Sequence, residues 1–182
     1  LLRLSLIGIT VQFVAFATYF AFVPVYAESI GASLSTIGYI TTFTLAAAMT
    51  GTLIAPFVIA RIGYRATIPA TLIVVGAATA AVTLTNSTLS LLIIQGIAGL
   101  GHGLLSAALM ALAALSAVPR LRATAMGVYQ SFYGVGVLAG PLAAGFVADR
   151  SGLNEVFVVT AGVAVVGAGL ASITRMPLNT KV

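Results

Sequence analysis

The chain has 182 residues, 60% of them hydrophobic and 6% charged, with a mean hydropathy of +1.18 and no cysteine. That balance excludes a soluble globular domain and puts the protein in a membrane; the missing cysteines exclude disulfides, iron–sulfur clusters and thiolate chemistry. A formal charge of +5 would point to nucleic acid in a soluble protein, but there is no basic run or aromatic-basic face, so no nucleic-acid partner is expected.

A helix needs about 20 apolar residues to cross the hydrocarbon core with every backbone amide satisfied internally. Six stretches meet that length, at about 4–26, 35–60, 66–85, 89–118, 123–148 and 154–173. The first carries Gln12, Tyr19 and Tyr26 at a spacing of seven, one stripe of a helix. Ser33 and Ser35 are placed to cap the second, which ends at the turn "RIGYR". The third runs to "NST", which is formally a glycosylation sequon but reads as a tight turn beside the membrane. On the fourth, Gln95 and His102 share a face with Ser106 beyond them, Gly99, Gly103, Ala107 and Ala111 form a small-residue stripe, and Pro119 closes the helix. The fifth has Tyr129, Gln130 and Tyr133 near its start and a second small-residue stripe at Gly136, Gly140 and Ala144. The turn "DRSGL" leads to the sixth.

Numbering the connections alternately sorts the charges. Arg3, Arg61, Arg65, Arg120, Arg122, Arg175 and Lys181 fall on one side, and Glu28, Asp149, Arg150 and Glu155 on the other. The positive-inside rule then puts both termini in the cytoplasm of a cell, or inner, membrane. An odd number of spans would scramble the partition.

The chain also repeats itself. "GTLIAPFVIARIG" (51–63) and "GPLAAGFVADRSG" (140–152) share seven of thirteen positions at an offset of 89, and Gly38 with Gly127 and Phe43 with Phe132 extend the match. The offset maps the second span onto the fifth, three helices later, so the copies cross the bilayer in opposite senses. The expected fold is therefore an all-α integral membrane bundle of six transmembrane helices, 1–182, built as an inverted 3+3 repeat of about 1–86 and 87–175. Inverted repeats of this kind are the plan of many secondary transporters. Chance alignment of Gly/Ala/Leu-rich helices is the bland alternative, and the matched Arg and turn glycines count against it.

These residues resemble the major facilitator superfamily, whose twelve helices form two six-helix halves. Its loop signature Gly-x-Leu-x-Asp-Arg-x-Gly-x-Arg is met here by Arg61, Gly63 and Arg65, while Pro56, Val58 and Ala60 depart from it; the second copy keeps Gly145, Asp149, Arg150 and Gly152. "GVGVLAGPLAAG" is similar to the family's Gly-x-x-x-Gly-Pro antiporter motif through Gly136, Gly140, Pro141 and Gly145, the last one place late. Where first halves of such transporters carry an Arg before a Gln-Gly pair, this chain has Leu92 before Gln95 and Gly96. With the missing loop Asp, that difference favours the C-terminal half, helices seven to twelve, and the initial Leu fits a chain that begins inside a longer one.

The resemblance implies a secondary transporter moving a small molecule by alternating access, with an efflux or antiport character from the fifth-helix motif. Since the first and fourth helices of each half line the family's cavity, it implies a substrate site at Gln12, Tyr19, Gln95 and His102, to which the fifth span adds Tyr129, Gln130 and Tyr133. Arg61, Gly63, Arg65, Gly136, Gly140, Pro141, Gly145, Asp149 and Arg150 are the expected gating and packing positions. Two aromatic rings and several amides suit a hydroxylated or amphipathic ligand. His102 is either a proton carrier or a neutral histidine hydrogen-bonded across a helix contact. A second six-helix half must complete the cavity, either an N-terminal half or another copy in a homodimer. A non-transporting receptor or assembly subunit is the remaining alternative. One histidine and three outer-side acids supply neither an enzyme's nucleophile–base pair nor a metal cluster, and no cofactor is expected.

Overall fold

The computed structural model describes residues 1–174, and the regular elements in that range are all helical. α1 (Leu2–Ser29) is α-helical to Ala15, π-helical over Phe16–Phe22 and α-helical again from Val23. Pro24 stands beyond the end of the π segment with only Val23 between, and its missing N–H together with its ring displaces the hydrogen-bond ladder one turn back. α2 (Leu34–Ala81) is capped by Ser33, whose hydroxyl accepts from the Thr36 N–H at 3.2 Å. α3 (Thr88–Leu115), α4 (Arg122–Ser151) and α5 (Leu153–Ile173) follow, with short 3₁₀ turns at Val82–Leu84 and Pro119–Leu121.

Two of the expected loops are absent. Instead of six separate helices, five among the described residues are long and apolar enough to cross a membrane, because the second and third expected spans join in the 48-residue α2. The junction is one residue, Gly63, at φ 75° and ψ 162°. α4 passes to α5 through Gly152 at φ 109° and ψ 173°. This conformation is open to glycine and strained for other residues, so each corner needs a single residue where a polar loop was expected. The corner glycines are the final matched pair of the sequence repeat, 89 positions apart.

Contacts between helices fix their directions. Gly136 packs on Ile9 and Gln12, and Gly140 on Phe13 and Ala17, so α1 and α4 run the same way. Gly99 packs on Thr44 and Gly103 on Ala48, so the first arm of α2 (34–62) runs with α3. Tyr19 donates to Ala98 O at 3.5 Å and Tyr26 to Thr85 O at 2.7 Å, which sets α1 against α3. The second arm (64–81) opposes α5, with Gly76 on Ala164 and Leu72 on Gly167. Neighbouring α3 residues Gly101 and Gly103 touch Val75 and Ala48 of α2. At 1.5 Å per residue an unbroken helix would hold those two partners roughly 40 Å apart, so the arms fold back on each other at Gly63.

The main core lies where α1, the second arm, α3 and α5 meet, around Ile7, Val14, Ile68, Leu72, Leu105 and Leu109. A smaller cluster of Tyr26, Val82, Leu91 and Phe157 closes the far end of α1. Lipid gives helices little hydrophobic reason to associate, so small residues and interhelical hydrogen bonds carry the packing, as where Thr52 Oγ1 donates to Gly103 O at 3.2 Å. The helix directions bring Arg3, Arg61, Arg65, Arg120 and Arg122 to one end of the bundle, all exposed, and Glu28, Asp149, Arg150 and Glu155 to the other. Arg175 and Lys181 lie outside the described residues.

Candidate functional site

α1 presents one polar line to the bundle. Seven residues are two turns of an α-helix, so Ser5 and Gln12 share one face; Tyr19 lies in the π segment and Tyr26 beyond it, and all four are buried. α3 answers with Gln95, His102 and Ser106, which also share a face; Gln95 is 1% exposed and His102 half-buried. The lines meet at Tyr19, whose ring stands edge-on to His102 with centroids 6.0 Å apart. The Tyr19 hydroxyl reaches Ala98 O at the long limit of a hydrogen bond. It also lies within interaction range of Thr79 on the second arm, although the Thr79 oxygen completes no hydrogen bond.

The structure brings together some of the expected site residues and separates others. Gln12 packs its Cβ beside Gly136 and buries its amide completely. Tyr129 is also buried, lying over Gly8 of α1, where a side chain would strike the ring. Tyr133 is half-buried and packs on the main core, while Gln130 is exposed on another side of α4. His102 and Tyr133 thus have both inward contacts and free surface. Gln12, Tyr19, Gln95 and Tyr129 are enclosed in this conformation.

Among the expected gating and packing positions, Arg61 and Arg65 are exposed on either side of the buried corner Gly63. Gly136 and Gly140 meet the α1 backbone, Ile9 O and Phe13 O lying 2.5 Å and 2.7 Å from where a Cβ would stand. Pro141 is half-buried, and Gly145 has no neighbour within 4 Å of such a Cβ. Asp149 is exposed, and the Arg150 guanidinium lies over the Phe146 ring, 4.0 Å from its centroid.

Ser5 and Thr79 were not singled out from the sequence. Ser5 continues the spacing of seven back from Gln12 and was legible in that way. Thr79 sits in an apolar run, and only the fold-back of α2 takes it to Tyr19.

A helical membrane bundle with glycine-mediated contacts and an uncharged polar interior belongs to the class of multi-pass membrane proteins. The sequence matches the profile described as Major Facilitator Superfamily over residues 4–181, and the chain belongs to that family. It is a family of membrane transporters and not of enzymes. Among solved structures, the chain is similar to the inward-open xylose transporter XylE from E. coli, with a TM-score of 0.68 and 17% sequence identity. The match covers 96% of this chain and 47% of that one, so the chain spans about half the length of that transporter. No curated protein matches it.

Proposed function

We propose that the chain is one six-helix half of a secondary active transporter, most like a C-terminal half, that moves a small neutral molecule by alternating access. In this reading the two arms of α2 are separate crossings. The observation that carries it is reciprocal packing between the repeats. Gly51 of the first arm lies against Leu100 O of α3, and its repeat mate Gly140 of α4 lies against Phe13 O of α1. Each repeat's second helix therefore packs on the other repeat's first helix, as an in-plane pseudo-twofold axis requires. The repeats are about 1–86 and 87–175.

A second half, supplied by an N-terminal portion of a longer protein, completes the cavity; the share of the solved transporter that the chain matches supports this. His102 and Tyr133 face that cavity first, with Gln130 at its margin, and Gln12, Tyr19, Gln95 and Tyr129 join when α1 moves relative to α3 and α4. The interior holds amides, hydroxyls and rings without a fixed charge, so a neutral hydroxylated or amphipathic substrate fits best. Gly136, Gly140 and Pro141 let α4 slide on α1, which supports an antiport or efflux cycle, and a proton is the candidate counter-ion. Arg61 and Arg65 stand at the cytoplasmic corner, with Asp149 and Arg150 at the opposite corner of an inner-membrane protein.

Cysteine accessibility in the full-length protein tests this. His102→Cys and Tyr133→Cys should react with a membrane-impermeant maleimide, and a transported solute should slow the reaction. A counterflow panel of sugars, including a pentose, and amphipathic drugs would find that solute. Reaction only with lipid-soluble reagents at both positions would overturn the assignment.

A further inference from the structure

Charge is divided unevenly between the two ends of the bundle. The three acids of the chain stand with Arg150 at the Gly152 end, while Arg61, Arg65, Arg120 and Arg122 are exposed at the other, as is Arg3. No side-chain carboxylate of this chain is there to pair with them.

Four of these arginines come from two neighbouring turns of chain. Gly99 on Thr44 and Gly103 on Ala48 hold the first arm of α2 in step with α3. Parallel α-helices rise together at about 1.5 Å per residue, so counting on equally from the second pair brings Arg61 level with Ser116, where α3 ends. The Gly63 corner, with Arg61 before it and Arg65 after it, therefore lies beside the link that carries Arg120 and opens α4 at Arg122.

These positions are electrostatically unfavourable as they stand. Arg65 and Arg122 fall in the first turns of the second arm and of α4, where the helix dipole is positive and favours an anion. Neither first turn holds an acid, and no side chain caps α4. Two cations at positive helix ends, with two more beside them, call for a counter-anion. The same surface is also apolar. Phe57 and Ile54 stand one and two turns before Arg61 on its own face of the helix, 72% and 40% exposed, and Val118 and Leu121 are exposed on the neighbouring link. A free phosphate would meet the arginines alone, whereas a phospholipid meets the arginines and the apolar track together.

We propose that the Gly63 corner and the α3–α4 link bind the headgroup of an anionic phospholipid. Its phosphate is held by the guanidiniums of Arg61, Arg65, Arg120 and Arg122, and its acyl chains run along Phe57 and Ile54. Arginine suits this role because its planar fork donates two parallel hydrogen bonds to phosphate oxygens. Basic clusters where helices leave the bilayer recognise anionic headgroups in this way. The site lies apart from the polar interior and does not rest on the transporter reading.

Native mass spectrometry of the full-length protein in detergent, titrated with phosphatidylglycerol or phosphatidylcholine of identical acyl chains, tests the proposal. Phosphatidylglycerol should bind several-fold more tightly, and a rise in ammonium acetate should shrink that preference. Arg61→Gln and Arg65→Gln should each weaken phosphatidylglycerol binding by roughly fivefold, while Arg150→Gln at the other end leaves it unchanged. Inorganic phosphate at the same concentration should not displace the lipid. Equal binding of the two lipids overturns the proposal, as does a preference indifferent to salt. A preference untouched by both corner substitutions also overturns it, and would mean that these arginines pair with carboxylates of the second half. Displacement by inorganic phosphate would make this a site for a free anion and overturn the lipid assignment. The lipid and salt comparisons use the unsubstituted protein, so they stand if a variant fails to fold. Loss of transport with lipid binding intact would count against the transporter reading alone.

Discussion

Gly103 faces the Ala48 carbonyl so closely that a β-carbon would overlap it, and Gly51 meets the Leu100 carbonyl in the same way. The obstacle is backbone in both cases, so relief requires the first arm of α2 and α3 to separate. Overpacking of this kind costs about 1–3 kcal/mol, and here it also threatens the Thr52 hydrogen bond to Gly103 O. Gly103→Val should therefore lower the thermal unfolding midpoint of the detergent-solubilised protein clearly, while Gly145→Ala, with nothing within 4 Å, should leave it near the parent value. Equal effects would show that the small-residue contact is unimportant. The stripes on α3 and α4 were legible because glycine every four residues marks one helix face. Which helix each stripe meets was not legible, since nothing local distinguishes one lipid-embedded neighbour from another. The same limit applies to Gln12 and Gln95: their rarity in apolar spans singled them out, but their enclosure depends on how α1, α3 and α4 close around them.

At the scale of elements, apolar length located every helix to within a few residues, and the errors fall at the joints. Polar and glycine-containing strings such as "RIGYR" read as loops, yet the helices run into each other through Gly63 and Gly152. A string of five residues does not reveal that one positive φ is enough to turn the chain. Both corners should therefore be sensitive to a β-carbon. Gly63→Ala and Gly152→Ala are each expected to cost about 1–2 kcal/mol, read as a lowered unfolding midpoint, with Gly127→Ala as the unstrained comparison. No loss in either variant would mean that the corner adopts another conformation in the membrane. The π segment of α1 was hidden for a related reason. Pro24 was visible, but membrane helices can absorb a proline by a kink or by a change of ladder, and the choice depends on neighbours such as Thr18, whose hydroxyl donates to Val14 O at 2.6 Å.

Across the whole molecule, charge and helix direction agree although they come from different observations. The same-way packing of α1 with α4, and of the first arm with α3, brings Arg3, Arg61, Arg65, Arg120 and Arg122 to one end without reference to any membrane. The three acids and Arg150 gather at the other end. Lys and Arg near span ends are retained on the cytoplasmic side during insertion, so the arginine-rich end should face the cytoplasm and the Gly152 corner the opposite compartment. In intact cells, Asn154→Cys beside that corner should react with an impermeant maleimide, whereas Val118→Cys in the link between α3 and α4 should react only after lysis. The reverse pattern would invert the protein in the bilayer and exchange the compartments assigned to its two corners. Reaction of both positions from one side would be more damaging, because it would mean that α4 does not cross, and the reciprocal packing of the repeats depends on that crossing.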